Sequence, residues 1–256
     1  MPSVAVLILG DEILAGTFAD ENGPFLAGQL RTLGARLRRI TVLPDEVDAI
    51  AAAVRDAVAT VDRVITTGGV GPTHDDVTYA GVARGLDRPL ECRPELVALL
   101  AHHGIPPTAD ALRMATVPAG AVLRPAGRAA DPPVVVVGSV YVFPGVPRLL
   151  RRQFPAVAAD FAGPSVRRAA VATPVDEVTL APLLRAVVAQ WPQVAVGSYP
   201  RTAGERRWVA ITLASRDAPA VDAATEALLA TVPSAVRVAS PGEPEAGTLW
   251  STEEVG

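Results

Sequence analysis

The chain has 256 residues, half of them hydrophobic, with a formal net charge of -4 and a single cysteine. That length supports one large or two small domains with real cores. The acidic balance gives no global basic field and argues against a nucleic-acid partner, and no apolar run approaches the roughly 20 residues that span a bilayer. Cys92 alone excludes a disulfide framework and a Cys-based zinc site. All 23 basic residues are Arg, so neither a lysine Schiff base nor a Walker-type lysine can operate. His74, His102 and His103 are the only histidines, and the adjacent pair should point to different sides of a helix, which argues against a multi-His metal site.

Residues 1–9 lack the basic start of a signal peptide and run straight into Gly10-Asp11-Glu12, so they read as a first, central strand of a cytoplasmic protein. A helix is predicted over 21–33, a strand over 35–42, and a helix with Val47, Ile50, Val54 and Val58 on its apolar face, capped by Asp45. The strand 61–65 then feeds a glycine loop, and a helix is expected from 77. Further helices are read at 93–103 and 146–161, with short strands at 121–123, 133–137 and 140–143. This alternation implies an α/β domain with an open, mostly parallel sheet and helices on both faces, and in that architecture ligands bind beyond the carboxyl ends of strands. After a linker at 162–165 the order becomes strand, helix, strand, strand, helix, strand: a small α+β module. The expected domains are therefore 1–164 and 165–239, followed by a polar, Pro/Gly-rich tail, 240–256, that reads as disordered.

Three loops fall at the ligand-binding edge. Thr66-Thr67-Gly68-Gly69-Val70-Gly71-Pro72-Thr73-His74-Asp75-Asp76 lies between a strand and a helix, where glycines let backbone N–H groups approach a phosphate. Two carboxylates at the same place would repel that phosphate unless a divalent cation (Mg²⁺, Mn²⁺ or Co²⁺) sits between them. One of Asp75 and Asp76 is expected to cap the loop helix, leaving Asp76 as the favoured cation ligand; His74 reads as a solvent-exposed loop residue. Asp11 and Glu12 stand at the exit of the first strand and are read as beginning no helix, so a functional role is favoured for both. Asp20, followed by Glu21 and Asn22, is read evenly as helix cap or functional group. Gly145, after the strand 140–143, offers a third loop.

Gly10-Asp11-Glu12-Ile13, the loop from Gly68 to Thr78 and Phe143-Pro144-Gly145-Val146-Pro147 resemble the signature of the molybdopterin-binding (MoaB/MogA-like) domain in the form found in CinA proteins. Val140 to Leu150 and Val196-Gly197-Ser198-Tyr199-Pro200 look most like the corresponding domain of eukaryotic FAD synthases. The resemblance implies a MogA-like three-layer sandwich, a homo-oligomer, and loops that bind a nucleotide or pterin. It implies metal-dependent hydrolysis of a phosphoanhydride in FAD or ADP-ribose, with molybdopterin binding or adenylylation as the alternative. On this basis Asp11 and Asp76 are the expected catalytic residues and Asp11, Asp75 and Asp76 the expected metal ligands. Gly10, Glu12, Asn22, Gly68, Gly69, Gly71, Pro72, Thr73 and Gly145 are the expected substrate-binding set. CinA proteins usually carry Glu-Met where this chain has Leu149-Leu150. Neither a nicotinamide-nucleotide deamidase nor an FAD-forming domain is expected.

Overall fold

The computed structural model describes residues 1–127, 131–204 and 206–239. Contacts divide the chain into two compact units, Met1–Gly163 and a second beginning at Pro164. The predicted tail at 240–256 lies outside the described residues.

In the first unit the elements run β1 (Ser3–Leu9), α1 (Asp11–Leu14), α2 (Asn22–Thr32), β2 (Arg36–Leu43), α3 (Val47–Thr60), β3 (Arg63–Thr67) and α4 (Thr78–Gly85). They continue with β4 (Leu90–Cys92), α5 (Pro94–His102), α6 (Ala109–Arg113), β5 (Thr116–Pro118), β6 (Val122–Arg124), β7 (Val134–Val137), β8 (Val140–Phe143) and α7 (Pro147–Gln153). Six strands form one sheet in the order β2-β1-β3-β8-β7-β6. Pairings among β2, β1, β3 and β8 are parallel, and β7 is antiparallel to both its neighbours.

Strand β1 is buried on both faces, and its side chains alternate between two cores. Ala5, Leu7 and Leu9 pack with Ile50 and Val54 of α3 and Val82 of α4. Val4, Val6 and Ile8 pack with Leu26 and Leu30 of α2, Leu150 of α7, and Phe143, Phe154 and Phe161. Helices on both faces make the three layers. Each fully buried Leu, Ile or Phe contributes about 1.5–3 kcal/mol.

The chain leaves β1 toward β2 on one side and returns to place β3 on the other. Helix α2 lies on one face and α3 on the opposite one. The carboxyl ends of β1 and β3 therefore flank a topological switch point, where a crevice opens.

Three local differences from the sequence reading have physical causes. The predicted helix 146–161 stops at Gln153 and continues as two 3-10 turns, because Pro155 lacks the N–H that a longer α-helix requires. The buried stripe of α3 is Ile50, Ala51, Val54 and Ala57. It is rotated from the predicted face toward α4, whose Gly81 and Gly85 admit close contact: a Cβ on Gly81 would lie 2.5 Å from Ile50. The β4–β5 hairpin and α6 went unpredicted because each is only three to five residues long.

The second unit contains β9 (Arg167–Thr173), α8 (Glu177–Gln190), β10 (Ala195–Ala203), β11 (Arg206–Ser215), α9 (Ala218–Thr231) and β12 (Val236–Val238). Its antiparallel sheet has the order β10-β11-β9-β12. Val171, Ile211 and Leu213 pack with Leu180 of α8 and with Val221 and Leu228 of α9. Asp176 and Asp217 cap the two helices, accepting from Thr179 N at 3.0 Å and Ala220 N at 3.0 Å.

Gly81 tests the α3–α4 contact, and Gly28 in α2 serves as an open-space control. Gly81→Ala should cost ~1–3 kcal/mol in urea unfolding, because the new methyl meets Ile50. Gly28→Ala, in α2 with nothing within 4 Å, should add ~0.5–1 kcal/mol.

Candidate active site

The site forms where β1, β3 and β8 end. Gly68 follows β3 with φ 109°, and a Cβ there would lie 2.0 Å from Leu9 O, so only glycine lets the two strand ends meet. A Cβ on Gly145, after β8, would lie 3.2 Å from Gly68 Cα. Asn22, 6% exposed, ties the edges together: its Nδ2 donates to Gly145 O at 2.7 Å and to Thr67 Oγ1 at 2.9 Å. Thr67 Oγ1 in turn donates to Pro144 O at 2.9 Å. The Gly145 carbonyl can only accept, which fixes the amide orientation and leaves Asn22 Oδ1 buried without a partner. Asp20 accepts from Asn22 N at 2.8 Å and from Gly23 N at 3.1 Å, so it caps the start of α2.

The glycine loop is held from behind by α4. Thr78 Oγ1 donates to Gly68 O at 2.7 Å, and Thr78 N to Gly69 O at 3.0 Å. Helix α4 begins at Thr78 with Val77 as N-cap and no side-chain cap, so neither Asp75 nor Asp76 caps it. Asp76 instead clasps the loop: its carboxylate accepts from Gly71 N at 2.7 Å, from Thr73 N at 2.8 Å and from the Thr73 hydroxyl. Both its oxygens are engaged, which corrects the expectation of Asp76 as a free cation ligand. Gly68 N donates to Phe143 O, so its N–H and that of Gly71 are spent within the protein. The N–H groups of Gly69, Val70 and Gly145 have no hydrogen-bond partner among the described residues and remain for a ligand. Pro72, Thr73 and Asp75 lie on the exposed outer side of this loop.

Asp75 is held below the usual carboxylate range, first by the Thr73 hydroxyl and next by its own backbone N–H. Thr73 has one proton to share between two carboxylates, and the hydrogen-bond geometry gives it to Asp76. His74 is solvent-exposed, its side chain 98% accessible. Arg113 of α6 braces the turn, donating from Nη2 to His74 O and to Asp76 O at 3.2 Å each.

Asp11 and Glu12 do begin a helix, the single turn α1, which corrects the sequence reading. Glu12 folds back over Gly10, where a Cβ would lie 2.7 Å from both of its carboxylate oxygens. Asp11 is coupled to Asp45, the residue read from the sequence as a helix cap. Asp45 does not cap α3, whose N-cap is Glu46 with no side-chain bond. Its Oδ2 accepts from Asp11 N at 3.0 Å, and Asp11 Oδ1 accepts from Asp45 N at 3.4 Å. Asp45 Oδ1 is buried without a partner, and a Cβ on Gly69 would lie 3.3 Å from it. Burial raises the Asp45 pKa above its ordinary value; the Asp11 N–H opposes this, while the charges of Asp11, Glu12 and Asp75 add to the rise. No ion pair of Asp11, Glu12 or Asp45 with a basic side chain occurs among the described residues.

No group of three or more His, Cys, Asp and Glu close enough to hold a metal occurs among the described residues. Asp11, Asp75 and Asp76 therefore do not form a closed cage. An orphaned carboxylate oxygen among unpaired acids fits a hard divalent cation of the Mg²⁺ type, which takes one or two carboxylates and completes its shell with water and ligand phosphate.

A cavity of about 590 Å³ opens from the glycine loop. Glu12, Gly68 to Gly71, Asp76 and Gly145 line it together with the apolar Leu96, Leu99, Leu100, Ile105 and Met114 and the polar His103 and Gln153. A second pocket of about 220 Å³ reaches Asn22, Asp20 and Thr67, and Glu12 borders both. No helix among the described residues is long and apolar enough to cross a membrane.

Residues 5–163 match the family described as a probable molybdopterin binding domain. The chain belongs to this molybdopterin-binding-domain family. Residues 165–240 match a second family, described as the middle domain of FAD synthase. A protein of Pyrobaculum calidifontis without a functional name is 33% identical over 78% of this chain and 82% of its own length. A "Probable FAD synthase" of Caenorhabditis briggsae is 30% identical over 88% of this chain. The chain spans about half of that relative, 49%. The solved structure of the protein CinA, of unknown function, from Thermoplasma acidophilum superposes with a TM-score of 0.57 at 30% identity, covering 62% of this chain and 98% of that one. This molybdopterin-binding-domain protein is thus a CinA-like α/β unit followed by a small module, related to FAD synthases.

The state of Asp45 is testable without any ligand. Its raised folded-state pKa means that the folded form holds a proton the unfolded form has lost, so stability falls as pH rises from the ordinary value of 3.8 through the raised one. Asp45→Asn should therefore raise the urea midpoint of metal-free protein at pH 7, with the gain shrinking as the pH approaches 4.

Proposed function

We propose that the first unit is a divalent-cation-dependent pyrophosphatase that cleaves the phosphoanhydride of FAD or a related ADP-containing dinucleotide. The observation that carries this reading is the juxtaposition of unpartnered loop N–H groups at Gly69, Val70 and Gly145 with the unpaired acids Asp11, Glu12 and Asp45. The N–H groups suit an anion. The carboxylates repel one, and a cation between them reconciles both features.

Asp45 and Asp11 would hold the cation. When bound, it supplies the Lewis acidity that lowers the pKa of a water and offsets charge developing on the diphosphate. The chain's own groups do the rest. Gly69, Val70 and Gly145 orient the phosphate oxygens, Asp76 and Arg113 keep the loop in shape, and Glu12, which lines the cavity, accepts the proton of the attacking water. FAD as substrate is supported by the second family match and by the FAD synthase relatives.

A second reading, pterin binding or adenylylation, draws on the family description of residues 5–163. The unpaired carboxylates favour hydrolysis over simple retention. Purified protein with Mg²⁺, Mn²⁺ or Co²⁺ should release AMP from FAD or ADP-ribose. Asp45→Ala and Asp11→Ala should each lower kcat about 100-fold or more, whereas Asp76→Ala should act mainly on KM by loosening the loop. Absence of AMP release, together with tight pterin binding, would replace the first reading by the second.

A further inference from the structure

Tyr79 is the first residue after the Thr78 anchor, so the same two bonds that hold the glycine loop fix the backbone beside it. It lines the cavity together with Leu96, Leu99, Leu100, Ile105 and Met114. Its hydroxyl has no hydrogen-bond partner among the described residues, although enclosed tyrosines ordinarily find one. Tyr79 keeps some accessible surface, yet the protein surrounds its phenol closely enough that burial raises its pKa and keeps it protonated. The result is a largely apolar cavity of about 590 Å³ in which Tyr79 presents a neutral hydroxyl without a protein partner among the described residues, opening onto the phosphate loop; Gln153 and His103 also line it.

We propose that this chamber seats the isoalloxazine ring of a flavin nucleotide and that the Tyr79 hydroxyl donates to a carbonyl oxygen on the ring's pyrimidine edge. This rests on the pyrophosphatase reading for the position of the diphosphate. The ring chemistry matches the walls. The dimethylbenzene edge of a flavin is apolar and suits the leucines, and Met114 adapts to a flat surface. The opposite edge carries acceptors, which a protonated phenol satisfies. Tyr79 is thus a specificity-determining residue for flavin over other dinucleotides.

The test reads binding, not turnover. FMN, which carries the ring and a single phosphate, is titrated into protein with Mg²⁺ by flavin fluorescence; the non-hydrolysable diphosphate α,β-methylene-ADP is titrated in parallel by calorimetry. Tyr79→Phe should weaken FMN about three- to tenfold, the effect of one hydrogen bond, and leave the diphosphate unchanged. Leu99→Trp, which fills the chamber from α5, should abolish FMN binding and spare the diphosphate; circular dichroism verifies that both variants fold. Absence of FMN binding to the wild type, an unchanged FMN affinity in both variants, or equal loss for both ligands overturns the assignment. Tyr79-dependent FMN binding without AMP release from FAD would instead retain the ring site and discard the pyrophosphatase reading.

Discussion

The close approach of two strand ends organises everything else in the first unit. Leu9 O stands where a side chain on Gly68 would begin, so the exit of β1 and the exit of β3 meet without any side chain between them. That contact brings α1, with Asp11 and Glu12, beside the glycine loop. Gly145 closes against Gly68 from the third strand, and Asn22 bonds the assembly from below. A functional edge built in this way is rigid in its backbone, and its chemistry is carried by backbone donors without acceptors and by acids without basic partners.

Those groups are of two kinds, and their opposition defines the site. Backbone donors at Gly69, Val70 and Gly145 attract an anion, while Asp11, Glu12 and Asp45 attract a cation and repel one another. Asp45 shows the cost most directly. One of its oxygens is buried without a donor, and its neighbours' charges and its burial raise its pKa. A folded protein retains such a destabilising arrangement where function uses it. The apolar chamber beyond the loop supplies what charges cannot, a surface that selects the ring attached to the phosphates.

Much of the framework was legible in the sequence, for physical reasons. Strand β1 is a continuous apolar run because both of its faces are buried. The glycine loop announced itself because close backbone approach and a positive φ admit only glycine. The order of the second unit followed from its succession of strand-like and helix-like runs, although the caps Asp176 and Asp217 emerge only in the structure. What escaped was long-range or below the length of a readable pattern. Asp45 looked like a cap because an acid just before a helix usually is one; only the pairing of β1 with β2 places it against Asp11. Asp76 looked free because its partners, the N–H groups of Gly71 and Thr73, are backbone atoms that a sequence does not display. The chamber is assembled from α4, α5, the α6 region and β7, which no local window brings together.

In the proposed function the acids at this edge and a bound diphosphate share one divalent cation. Mn²⁺ binding followed by electron paramagnetic resonance, with and without α,β-methylene-ADP, decides whether the cation is shared. A tight Mn²⁺ site should form only when the diphosphate is present and should disappear in Asp45→Asn. Equal Mn²⁺ affinity without the diphosphate, or an unchanged site in Asp45→Asn, would rule out the shared cation.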